Sequence, residues 1–150
     1  MTTLKTRLET DLRTAMKARD ELVTSTLRMA LAAVRAVEVA GPAARELSDD
    51  EVLTVLKREA KKRREAATAF GDAGRTELAA KERAEEEVLA GYLPAQLSDE
   101  ELAAIVREAL TAAGLSGMSS MGQAMKAAQA AVAGRAEGGR VAAEVRRQLG

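Results

Sequence analysis

The chain has 150 residues, with 23 Lys plus Arg against 23 Asp plus Glu, and it contains no Cys, no His and no Trp. That excludes a disulfide framework, a thiol nucleophile, a Cys-type zinc site, an iron–sulfur cluster, an imidazole base and a His metal ligand. The aromatics are Phe70 and Tyr92 alone, too few for a base-stacking platform, and zero net charge speaks against a general basic coat while leaving room for a local patch.

Alanine contributes 33 residues, and Leu, Glu and Arg follow. These are strong helix formers, so the expected fold class is all-α. The first helix is expected over about 3–19, with Leu4, Leu8, Leu12 and Met16 on one stripe. The second runs over about 22–39, with Val23, Leu27, Leu31 and Val34 facing inward, and Gly41-Pro42 follows it.

Leu47-Ser48-Asp49-Asp50-Glu51-Val52 opens the third helix. Ser48 suits the N-cap and Glu51 the reciprocal position of a capping box, while Leu47 and Val52 form the hydrophobic staple. Val52, Val55, Leu56, Ala66 and Phe70 are its expected apolar face, and Gly71 its expected end. A fourth helix is expected from Arg75 to Tyr92, with Leu78, Val88, Leu89 and Tyr92 inward.

After the break at Leu93-Pro94 the start device recurs in Leu97-Ser98-Asp99-Glu100-Glu101-Leu102. Leu102, Ile105, Val106, Ala109 and Leu110 make the stripe of the fifth helix, and Gly114 closes it. The sixth begins near Ser120, with Gln123 three residues on, and carries Met121, Met125, Ala128 and Val132. Gly134 to Gly139 breaks it, and a last helix presents Val141, Val145 and Leu149. The expected organisation is an N-terminal helical domain of four helices over 1–93 and a three-helix bundle over 94–150. No apolar run approaches the ~20 residues of a membrane span, and the first dozen residues lack an apolar signal core. A cytoplasmic protein without a membrane association is therefore expected.

The sharpest charge feature is Lys57-Arg58-Glu59-Ala60-Lys61-Lys62-Arg63-Arg64. At about 100° per residue, Lys57, Arg58, Lys61 and Lys62 fall opposite Val52 and Val55, with Arg64 at the flank. Arg63 falls on the apolar side, where it has to snorkel or pair with an acid. The stripe reads as a phosphate-tracking surface. The simpler alternative is a solvated face neutralised by the fourth helix, which carries Glu77, Glu82, Glu85, Glu86 and Glu87. A second basic set, Lys126, Arg135 and Arg140, flanks the glycines between helices six and seven, where freed N–H groups at a helix start would suit a phosphate; an ordinary turn is the alternative. No carboxylate pair stands out as catalytic, and no spacing points to a metal site or a cofactor.

Several segments together resemble the YqeY-like family. These are Met16-Lys17-Ala18-Arg19-Asp20, Ser25-Thr26-Leu27-Arg28-Met29, Lys62-Arg63-Arg64-Glu65-Ala66, Ala73-Gly74-Arg75, Tyr92-Leu93-Pro94-Ala95-Gln96-Leu97-Ser98, Met121-Gly122 and Gly134-Arg135-Ala136-Glu137-Gly138. The family is related to the tail domain of GatB, a subunit of the glutamine-dependent aspartyl/glutamyl-tRNA amidotransferase. That tail contacts the tRNA body, while the chemistry belongs to other domains.

The resemblance implies an all-α fold and a tRNA-associated module, non-catalytic by itself and without a cofactor. Its RNA-binding candidates are Lys57, Arg58, Lys61, Lys62, Arg64, Lys126, Arg135 and Arg140. Where the GatB tail tends to have a small residue followed by Asn-Pro, this chain has Ala136-Glu137-Gly138, and an acid at 137 weakens a phosphate contact. The alternatives are an adaptor docking on a tRNA synthetase or amidotransferase, and a carbon–nitrogen ligase using glutamine. The latter lacks a Gly-rich nucleotide loop and an amidase signature here.

Overall fold

The computed structural model describes residues 2–150. Among them are seven α-helices and no strand: α1 (Leu4–Ala18), α2 (Glu21–Glu38), α3 (Asp49–Asp72), α4 (Thr76–Ala90), α5 (Asp99–Ala113), α6 (Met121–Val132) and α7 (Gly138–Leu149), with a 3₁₀ turn (Met118–Ser120) leading into α6. They fall into two compact units, one ending at Leu93 and the other running from Pro94 to Gly150.

In the first unit, α1 and α2 form an antiparallel hairpin with only two residues between them. Arg19 closes α1 in the left-handed region (φ 57°), and the Asp20 carboxylate then accepts the Val23 N–H to start α2. Lys5 near the start of α1 pairs with Glu38 at the end of α2, at 3.0 Å. The helices α3 and α4 form a second hairpin, turning at Gly74 (φ 76°). The core joins Leu8, Leu27, Leu31, Val34, Val52, Leu56 and Leu89; each large side chain so buried contributes about 1.5–3 kcal/mol relative to exposure.

Local signals held closely. Ser48 and Ser98 each accept the N–H three residues on, and Glu51 and Glu101 each reach back to the serine N–H, so both capping boxes are complete. Gly114 closes α5 at φ 67°. Other expectations are corrected. Gly71 lies inside α3, which runs one residue further. On α3 the buried alanine is Ala67, not Ala66, and on α4 it is Ala79. Leu78, expected inward, is 41% exposed. Ala79 takes the buried position on α4, and its neighbour Leu78, about 100° round the helix, points out. Ser120 turns its hydroxyl back to the Ser116 carbonyl, at 3.0 Å, and does not cap α6.

The second unit packs Leu102, Val106 and Leu110 of α5 and Val141, Val145 and Leu149 of α7 on Ala124, Ala128 and Val132 of α6. The two alanines are fully buried, which lets the helices approach closely. The extended entry to α5 is tied to the α6–α7 turn on both sides of one residue: the Leu97 N–H donates to the Arg135 carbonyl at 2.8 Å, and Arg140 donates to the Leu97 carbonyl at 2.9 Å.

Candidate nucleic-acid interface

The long helix α3 has two sides of opposite character. Val52, Val55, Leu56, Glu59, Ala60, Arg63 and Ala67 are buried. Arg58, Lys61 and Lys62 are exposed and Lys57 is half-buried. A helix of 3.6 residues per turn separates the two sets, because the buried positions follow a three-and-four spacing and the cations fill the gaps.

The buried side contains a charged cluster. Arg63 is 4% exposed; it donates to the Glu59 carboxylate at 3.0 Å and to the Glu59 carbonyl at 3.1 Å. Its Nε lies 3.6 Å from Glu85 of α4, beyond hydrogen-bond geometry, and has no partner of its own. A third nitrogen, Nη2, rests 3.5 Å from the Met29 sulfur of α2. Glu59 and Glu85 are themselves buried. Arg63 therefore pairs with acids at the helix contact, as its position on the apolar side required.

The α4 helix neutralises only part of the basic face. Arg64 Nε reaches Glu86 at 2.9 Å, and Lys62 Nζ reaches Glu59 on its own helix at 3.2 Å. Lys57, Arg58 and Lys61 make no ion pair among the described residues. Three cations within five residues, on one side of the helix and without an ion pair among the described residues, form a ridge suited to phosphate oxygens.

The C-terminal candidates do not gather into one surface of that kind. Arg135 folds back on its own helix end, donating to the Val132 and Ala131 carbonyls at 3.0 and 3.1 Å. Arg140 bonds Leu97 and the Asp99 carboxylate, the latter at 2.9 Å. Lys126 is exposed on α6 and makes no ion pair among the described residues. Two of the three cations thus hold the α5 entry and the α6–α7 turn in place.

Tyr92 belongs to the first unit's packing. Its hydroxyl donates to Asp11, and the Arg7 guanidinium lies over its ring at 4.6 Å from the centroid. Burial first, then the Asp11 carboxylate, hold that hydroxyl protonated far above the ordinary tyrosine range. Beside it runs an open groove of about 320 Å³ lined by Asp11, Thr14, Ala15, Ala18, Asp20, Val23 and Tyr92. Both carboxylates there already have partners, in Tyr92 and the α2 cap. Among the described residues no cluster of three or more acids is placed to hold a metal ion, and no helix is long and apolar enough to cross a membrane.

The class defined by these features is an all-helical protein of two compact units with a basic ridge on its longest helix. A family model described as Yqey-like protein matches residues 5–149, and the chain belongs to that family. No curated protein matches it.

Proposed function

We propose that the protein is a tRNA-associated helical module, non-catalytic by itself, that binds RNA phosphates along α3. The observation that carries this reading is the ridge of Lys57, Arg58 and Lys61, solvent-facing and without carboxylate partners. Lys62 and Arg64 border it, already paired with Glu59 and Glu86, and turn toward phosphates when RNA approaches. Lys126 offers a separate, weaker contact, and Arg135 and Arg140 contribute less because their donors are engaged. With two aromatics in the chain, recognition rests on backbone shape and charge, not base stacking. The working site is the cytoplasm, where a synthetase or amidotransferase would share the same tRNA.

The test is titration of the full chain with an unmodified tRNA transcript at several salt concentrations. If six phosphates are engaged, log K falls against log salt with a slope of about −4 to −5. The combined variant K57A/R58A/K61A should weaken binding at least tenfold and flatten the slope by about 3, one for each cation. A salt-independent affinity, or an unchanged slope in that variant, overturns the reading. Release of ammonia from glutamine by the purified chain would overturn its non-catalytic part.

A further inference from the structure

A second surface lies on the α1–α2 hairpin. Two methionines stand about half exposed there, Met16 at 47% and Met29 at 48%. Each sulfur touches a guanidinium: Met16 lies 3.8 Å from Arg28 Nη2, and Met29 lies 3.5 Å from Arg63 Nη2. A thioether is a weak acceptor that carries no charge, so it orients Arg28 without neutralising it. Neither Arg28 nor Arg35 makes an ion pair among the described residues.

The exposed side of α2 also presents Ser25 and Ala32. They sit on the same face as Arg28 and Arg35, which are seven residues and about 10.5 Å apart along the axis. The surface is thus a shallow bed of small side chains, with a row of two unneutralised guanidinium groups on one border and flexible thioethers beside it. Carboxylates seven residues apart on a second helix repeat the same 10.5 Å. Small residues admit a helix at close range, and methionines adapt to aliphatic side chains of varied shape.

We infer that this face of α2 docks an acidic amphipathic helix of a partner protein, with carboxylates at i and i+7 meeting Arg28 and Arg35 and aliphatic residues between them covering Met16 and Met29. An RNA backbone fits less well, since it has nothing to place on the two methyl-thioether groups and finds only two cations in the row. The surface is distinct from the α3 ridge, whose cations have no apolar neighbours exposed beside them, and its occupant does not depend on tRNA binding.

The experiment uses the full chain with ¹³C-labelled methionine methyls. The probe is a capped synthetic helix with Glu at i and i+7 and Leu at i+3 and i+4; a Gln-for-Glu version is the control. The Met16 and Met29 methyl signals should shift saturably with the Glu peptide. The Met118 methyl, 52% exposed in the second unit, should stay still. Arg28→Glu with Arg35→Glu should weaken that binding at least tenfold, and Lys57→Ala with Lys61→Ala should leave it unchanged. Static Met16 and Met29 signals, an equal response to the Gln peptide, or a response to tRNA but not to the peptide would each overturn the inference.

Discussion

Up to Leu93 the chain carries 17 basic and 17 acidic residues, and from Pro94 on it carries six of each. Both units are neutral, yet they place their charges differently. The four buried charged side chains among the described residues, Glu38, Glu59, Arg63 and Glu85, all lie in the first unit. There the helices are keyed to one another by ion pairs at their contacts. The second unit has a core of Leu, Val and Ala, and there Arg135 and Arg140 hold backbone carbonyls, Arg140 taking the Asp99 carboxylate as well. Net charge therefore says little about where a protein is basic. Burying Glu59 beside Arg63 and placing Glu86 on Arg64 uses acids of α3 and α4 internally, and this leaves Lys57, Arg58 and Lys61 uncompensated on the other side of the same helix.

The largest effect that tests this contrast is expected at Arg63. Replacing it with Met leaves Glu59 and Glu85 buried without their guanidinium and should cost about 3–5 kcal/mol. Because Arg63 Nε has no hydrogen bond, the cluster is imperfectly satisfied. Joint replacement of Glu59, Arg63 and Glu85 by Leu, Met and Leu should then restore most of the lost stability. Urea unfolding followed by helical circular dichroism reads both. A loss below about 1 kcal/mol for R63M would show that the carboxylates reach water, and the contrast between the units would fail.

The matching perturbation of the second unit is one of volume. Ala128 is fully buried between α6 and its neighbours, so Ala128→Leu should cost about 1–3 kcal/mol by forcing the helices apart. Lys126→Leu, on the exposed side of the same helix, should change stability by less than about 0.5 kcal/mol. Equal effects at the two positions would mean that small residues do not set the packing there. Smaller again is Arg140→Ala, which removes donors from the Leu97 carbonyl and Asp99 and should cost about 1 kcal/mol. Its tRNA affinity should fall less than that of K57A/R58A/K61A.

What the sequence disclosed follows the range of each interaction. Both capping boxes, the glycine end of α5 and the inward position of Arg63 depend on residues within a turn or two, and all were legible. Leu78 was misplaced because α4 has weak apolar periodicity; the buried position there is Ala79, and alanine is common on every face of these helices. The partners of Arg135 and Arg140 were hidden for a different reason. Backbone carbonyls have no residue signature, and Arg140 reaches Leu97 across 43 positions. The exposed Met16 read as the last step of an apolar stripe, since periodicity cannot tell where a stripe leaves the core. Local chemistry thus placed the α3 cations on one face, whereas deciding which of them α4 neutralises needed the packing.

The smallest expected effect separates the two otherwise identical helix starts. Glu51 and Glu101 both accept the serine N–H of their own box, but Glu51 also takes Arg45. The Arg45 hydrogen bond, then the Ser48 N–H, hold the Glu51 carboxyl down at about 2. Glu101 is lowered by its Ser98 bonds, with a lesser contribution from the charge of Arg135. A carboxylate whose folded value lies below its unfolded one stabilises the fold above the unfolded value, near 4.5 here; that contribution is lost as pH falls through the folded value. For Glu51 the loss should therefore extend from about pH 4.5 down to about pH 2. Arg45→Ala should move the Glu51 side-chain titration, followed by carboxyl carbon resonances, upward toward the ordinary range and leave Glu101 where it was. Both residues are at the surface, so added salt should reproduce part of that shift. If Arg45→Ala leaves Glu51 unmoved, the serine box alone sets its acidity and the two starts are equivalent in charge as well as in geometry.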